Sequence, residues 1–279
     1  MHSDPAVWHG PDNGHGTAGH RAGGQTTFTL LGPLEVLKDG TDYAPTAPKV
    51  LQLLAMLLLR PGKLVQIDSI VEELWADDPP RSVRTTMQTY VYQLRKCIEQ
   101  NELAPAGDEL LITKHAGYVF TVDPAQIDVF TFQRLFQEGR ELLDRDHYTD
   151  AARSLRAALA LWTGPPMANV NCGSVLSSYV VDLQEQRRTA QHLRIHAELE
   201  AGWHRELIGE LRALVAANPL DEGMHGQLMR VLSRSGRRSD ALATYRNLRA
   251  VLNEELGVEP CEELQRLHHE LLSAGETPR

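Results

Sequence analysis

The sequence lacks any long apolar run. Its longest unbroken stretch, Leu53 to Leu59, covers seven residues, and a helix that crosses a bilayer needs about 20. No membrane span and no membrane partner are expected. Residues 1–25 carry histidine, glycine, aspartate and proline but no apolar core, so they do not read as a secretory signal. Cysteine is scarce: Cys97, Cys172 and Cys261 are far apart, odd in number and without a C-x-x-C spacing. Neither a zinc ribbon nor a disulfide framework fits them, and a reduced cytoplasm is the natural compartment.

Catalytic signatures are missing as well. Arg60-Pro61-Gly62-Lys63 lacks the first glycine and the hydroxyl of a phosphate-binding loop. No G-x-S-x-G elbow occurs. His268-His269-Glu270 lacks the second histidine of a metalloprotease helix, and His2, His9, His15 and His20 share no spacing that a fold would enforce. The chain is therefore expected to be no enzyme and to carry no cofactor or metal.

What is present is an ordinary globular mixture, 42% hydrophobic and 23% charged in 279 residues, which suits two compact domains. The net charge of −9 argues at first against nucleic acid. Its distribution points the other way. From Pro79 to Ile98 there are four bases, Arg81, Arg84, Arg95 and Lys96, and no acid. A local basic stripe can hold phosphate on an acidic protein, because charges more than about 8–10 Å away are screened at physiological salt.

Residues 1–25 hold six glycines and no periodicity, so a disordered extension is expected there, and another disordered stretch at 275–279. Phe28 to Leu37 predicts one or two strands and Thr41 to Ala44 another. Pro48 opens an apolar helix that stops at Pro61-Gly62. A second helix starts at Ile67 or Asp68, with Asp68 as its cap, and a third runs from a Ser82 cap to about Gln100. Leu110–Thr113 and Tyr118–Val122 flank Lys114-His115-Ala116-Gly117 as a hairpin, in which Gly117 is expected to supply a positive φ. This order predicts a winged helix-turn-helix over 26–123.

The third helix carries the chemistry. Val83, Met87, Tyr90 or Val91, Leu94 and Ile98 form one apolar face. Thr85, Gln88, Thr89, Tyr92 and Lys96 lie opposite, flanked by Arg84, Thr86, Gln93 and Arg95. Arginine can grip guanine O6/N7, glutamine can pair with adenine, and threonine hydroxyls suit phosphates. Lys114 and His115 at the hairpin tip complete the candidate DNA-binding set. Arg95 and Lys96, toward the helix C-terminus, are expected on phosphates.

Beyond Asp128 the pattern is helical throughout. Residues 141–159, 197–214 and 231–248 share one grammar, and Gly202 and Gly236 lie 34 residues apart, the tetratricopeptide period. Asp150, Glu206 and Asp240 each open the second helix of a pair, with Leu155, Leu211 and Tyr245 as its buried positions. The fold class is therefore mainly α with small β elements: a winged helix, then an all-α tetratricopeptide-like domain over 127–274. Stacked helix pairs make docking surfaces. The last stretch, Asn253 to Arg279, holds seven carboxylates and two arginines and could meet a basic partner. A fragment of residues 27–125 is expected to bind DNA without activating transcription. The alternative function is a protein scaffold in which the winged helix contacts protein.

Arg81 through Lys96, RSVRTTMQTYVYQLRK, resembles the Streptomyces antibiotic regulatory protein family. So do Phe28 to Val36, Leu74-Trp75, Ile112-Thr113-Lys114 with Gly117-Tyr118, Leu161 to Gly164, Asn218 to Glu222 and Glu255 to Pro260. The resemblance implies a cytoplasmic, nucleoid-associated activator in which an OmpR-like winged helix is followed by a bacterial transcriptional activator domain. It implies binding to direct repeats in promoters of antibiotic biosynthesis genes by two protomers arranged head to tail. It also implies recruitment of RNA polymerase, including its sigma factor.

Overall fold

A computed structural model describes residues 25–273, apart from residue 77 and residues 105–108, and apart from the side chain of residue 205. The N-terminal extension with its four histidines and the tail from 275 lie outside the described residues, except for Gln25.

The chain opens with a three-stranded antiparallel sheet, β1 (Thr27–Thr29), β2 (Glu35–Lys38) and β3 (Thr41–Asp42), in that spatial order. Helix α1 (Pro48–Leu58) follows, started by proline at its first position and buried from Val50 to Leu58. Then come β4 (Leu64–Gln66), α2 (Ile67–Trp75), α3 (Val83–Gln100), β5 (Leu111–Lys114) and β6 (Gly117–Phe120). The second sheet has the order β4-β6-β5. Strand β4 was not expected. Leu-Val-Gln has no strand signal of its own, and its pairing with β6 confers the conformation.

Two caps also differ from expectation. Gln66 stands at the N-cap of α2 without a side-chain bond, so Asp68 sits in the first turn, where it can favour the helix dipole. Ser82 does precede α3, but its hydroxyl caps nothing; its carbonyl accepts from the Thr86 N–H and hydroxyl instead.

After a 3-10 turn the chain is helical: α4 (Asp128–Leu143), α5 (Tyr148–Leu159), α6 (Ser174–Glu200), α7 (His204–Ala217), α8 (Glu222–Arg234), α9 (Arg238–Leu256) and α10 (Glu262–Ser273). The pairs α4/α5, α6/α7 and α8/α9 turn in the same way. A left-handed residue, Asp146, Gly202 or Gly236, ends the first helix of each. The next N–H in each case, from His147, Trp203 or Arg237, reaches back five residues to Leu142, Glu198 or Leu232. Leu155, Leu211 and Tyr245 are buried in the second helices.

The hydrophobic core does not divide where the sequence changes character. One cluster runs from Phe28 through the winged helix into Phe132, Leu155, Trp162, Leu183 and Ala190. A second begins at Ile195 and ends at Leu271. Helix α6 belongs to both. The reason lies in residues 30–34, which loop out of the first sheet and need both apolar cover and hydrogen-bond partners. Asp128 accepts from the Leu30 and Leu31 N–H groups at 2.8–2.9 Å. Asn169 brackets Leu34, accepting from its N–H at 2.7 Å and donating to its carbonyl at 3.0 Å. Thr163 N and Met167 N donate to Leu31 and Leu30. A Cβ on Gly32 would lie 1.9 Å from the Thr163 hydroxyl oxygen, so only glycine permits this approach. Burial pushes the Asp128 carboxyl up to about 6, against the pull of its N–H donors.

Candidate nucleic-acid interface

Helix α3 is held against the winged helix by Met87, Val91 and Leu94, all buried, and by a stack of Tyr90 on Trp75 with ring centroids 6.0 Å apart. These contacts use one face and leave the other free. Arg84, Thr85, Gln88, Thr89, Tyr92, Gln93 and Lys96 are exposed; Thr86 and Arg95 are half-buried. Tyr92 is 64% exposed, a large ring with no fold-stabilising role. The Thr89 hydroxyl donates to the Thr85 carbonyl at 3.0 Å, as Thr86 does to Ser82, so both are parked on the helix backbone. Among the described residues, Arg84 and Lys96 take part in no ion pair.

The wing is the β5–β6 hairpin. Lys114 pairs with Gly117, so His115 and Ala116 form its two-residue tip, and Lys114, His115 and Ala116 are all exposed. Gly117 does not adopt the positive φ expected of it. It is glycine for room: a Cβ there would lie 2.0 Å from the Val65 carbonyl oxygen, and β4 could not pair with β6. The Ile67 N–H donates to Ala116 at 3.1 Å and ties the tip to the start of α2.

Arg95 differs from its neighbours. Its guanidinium Nη2 donates to the Leu111 carbonyl at 2.8 Å and to the Thr113 hydroxyl at 2.9 Å, and its Nε lies 3.3 Å from the same carbonyl. Glu109 is 3.5 Å away. The arrangement thus joins a polar, cationic helix face to a basic hairpin tip.

Sequence reasoning missed Glu73, on the inner face of α2. Its carboxylate is 3% exposed, accepts from Gln52 at 2.8 Å, and caps α6 through the N–H groups of Gly173 at 2.5 Å and Leu176 at 2.9 Å. In the sequence it stands beside Glu72, and nothing in that spacing distinguishes the buried carboxylate from the exposed one. At the end of α2, Ala76 adopts φ 47 and ψ −117, a conformation that an L residue rarely takes.

Residues 127–272 match the family model described as bacterial transcriptional activator domain, and residues 42–120 match transcriptional regulatory protein, C terminal. The regulatory protein DnrI of Streptomyces peucetius is 39% identical over 251 residues, covering 88% of this chain and 92% of its own. The regulatory protein AfsR of Streptomyces griseus is 33% identical, but the chain spans only 25% of that protein. Among solved structures, EmbR of Mycobacterium tuberculosis, in complex with a low affinity phosphopeptide, matches with a TM-score of 0.83 and 29% identity. That match covers 90% of this chain and 66% of that one.

Proposed function

The chain belongs to the Streptomyces antibiotic regulatory protein family of transcriptional regulators, and from that premise we propose that it activates promoters of secondary-metabolite genes by binding direct repeats. The observation that carries the reading is the outer face of α3, polar and cationic from Arg84 to Lys96 without one carboxylate, joined to an exposed basic wing. Carboxylates would repel phosphate, and a surface helix that serves only solvation carries both signs.

In this reading Arg84, Thr85, Gln88, Thr89, Tyr92 and Gln93 face base edges and nearby sugars in the major groove. Tyr92 offers an apolar ring for a thymine methyl. Thr86 and Lys96 reach phosphates. Lys114 and His115 reach the backbone or minor groove beside them. Direct repeats require two protomers in the same orientation, hence a head-to-tail pair. Reading is assigned to residues 26–123. Residues 127–274 are the docking surface for RNA polymerase and its sigma factor.

Capture of genomic fragments by the purified chain, followed by sequencing, tests the reading. Recovered sites should contain a repeated motif in one orientation. Affinity for them should fall steeply with salt, with a slope of roughly −0.9 per phosphate neutralised. Salt-independent binding or fragments without a shared motif would sink it.

A further inference from the structure

Arg95 and Lys96 look equivalent in the sequence, but the structure separates them. Arg95 and Lys96 are adjacent on α3 and so point about 100° apart. Lys96 is exposed, while Arg95 is turned toward the wing and half-buried. Its partner there is an edge. In the order β4-β6-β5, strand β5 has β6 on one side only. The Thr121 N–H donates to Leu110, and antiparallel bonding alternates, so the Leu111 carbonyl faces away from β6. Arg95 satisfies that carbonyl from Nε and Nη2, and Nη2 also donates to the Thr113 hydroxyl. Thr113 immediately precedes Lys114.

We propose that Arg95 is a positioning residue that fixes the wing against α3, so that Lys114 meets DNA in register with the recognition face, and that Arg95 itself touches no phosphate. The proposal rests on the DNA-binding reading. A guanidinium is needed because its planar fork spans a carbonyl and a hydroxyl at once; an ammonium is a point donor on a flexible stem. Charge is not the requirement, which separates Arg95 from Lys96.

A double-mutant cycle on the full chain tests this, with captured operator DNA as the probe. Arg95→Lys and Arg95→Gln should both weaken binding, by about tenfold. Neither should weaken it further once Lys114→Ala is present, because the wing contact is then already gone. Thr113→Val, which leaves the guanidinium intact, should reproduce part of the loss and also fail to add to Lys114→Ala. Thermal midpoints measured alongside keep loss of folding apart from loss of register. Wild-type affinity in Arg95→Lys, or losses that add to that of Lys114→Ala, would show a direct phosphate contact and overturn the proposal. Arg84→Ala and Lys96→Ala serve as controls for the underlying reading. If they too bind as wild type, the DNA interface is elsewhere and the role of Arg95 falls with it.

Discussion

Glu73 accepts the N–H of Gly173 at 2.5 Å, across 100 residues of sequence. A side chain on the inner face of the helix-turn-helix thereby caps the longest helix of the second half. Replacing Glu73 by alanine strands two helix-start N–H groups, while the Gln52 amide keeps its bond to the carbonyl of residue 73. We expect a loss of about 2–4 kcal/mol, and a smaller loss for Glu73→Gln, which keeps one acceptor. Urea denaturation reads it directly, and a midpoint within error of wild type would remove Glu73 as an anchor.

The continuous core changes which fragment folds. A chain cut at 125 loses Asp128 and Asn169, leaves the N–H groups of Leu30, Leu31 and Leu34 without partners, and uncovers three fully buried leucines. The shared core favours a fragment longer than 27–125 as the one that folds by itself. Residues 25–200 retain the whole first cluster and should unfold cooperatively, whereas 25–125 should not. Calorimetry of the two fragments decides, and a sharp transition in the shorter one would contradict the shared core.

Asp128 makes that junction sensitive to pH. Its native carboxyl holds a proton up to about pH 6, while the unfolded chain releases it near ~3.9. Between those values the native state binds more protons. The group's contribution to stability is therefore complete below the lower value and is lost as pH rises through the upper one. The change is on the order of 3 kcal/mol. Asp128→Asn, which does not titrate, should lack this component. Denaturation midpoints from pH 4 to pH 7 that run parallel in the two proteins would refute it.

On DNA, Arg84 and Lys96 should part company. Arg84 stands near the start of α3, and Arg84→Ala should cost about 1–3 kcal/mol on the operator and little on unrelated sequence. Lys96→Ala should weaken every sequence alike and reduce the salt slope by about one. Anisotropy titrations on operator and scrambled duplexes distinguish the two patterns, and equal losses on both duplexes for Arg84 would reassign it to the backbone.

Helix α3 was legible because its apolar positions recur at helical spacing and no acid stands between Arg84 and Lys96, although Glu99 is exposed in its last turn. All three repeats were legible from their shared helical pattern, and in two of them glycine also marks the turn, at Gly202 and Gly236. Asp146 performs the same turn at φ 58 and is invisible as a marker, since aspartate signals many local structures. Strand β4 was illegible because partners, and not propensity, make it a strand. Glu73 left no mark in the sequence, because only the packing of α6 against α2 brings the Gly173 and Leu176 N–H groups to its carboxylate. The bond from Arg95 to the Leu111 carbonyl is set by a neighbouring strand in the same way.

Helix α6 runs for 27 residues, about 40 Å at a rise of about 1.5 Å per residue. Clamped in one core at its start and in another at its end, it behaves as a strut. In the proposed activator the helical repeats then keep a constant bearing to helix α3, and the bearing becomes a phase on the duplex. Sliding the operator by about half a helical turn, near 5 base pairs, would swing the same docking face to the far side of the DNA. Sliding it by a full turn would restore the alignment.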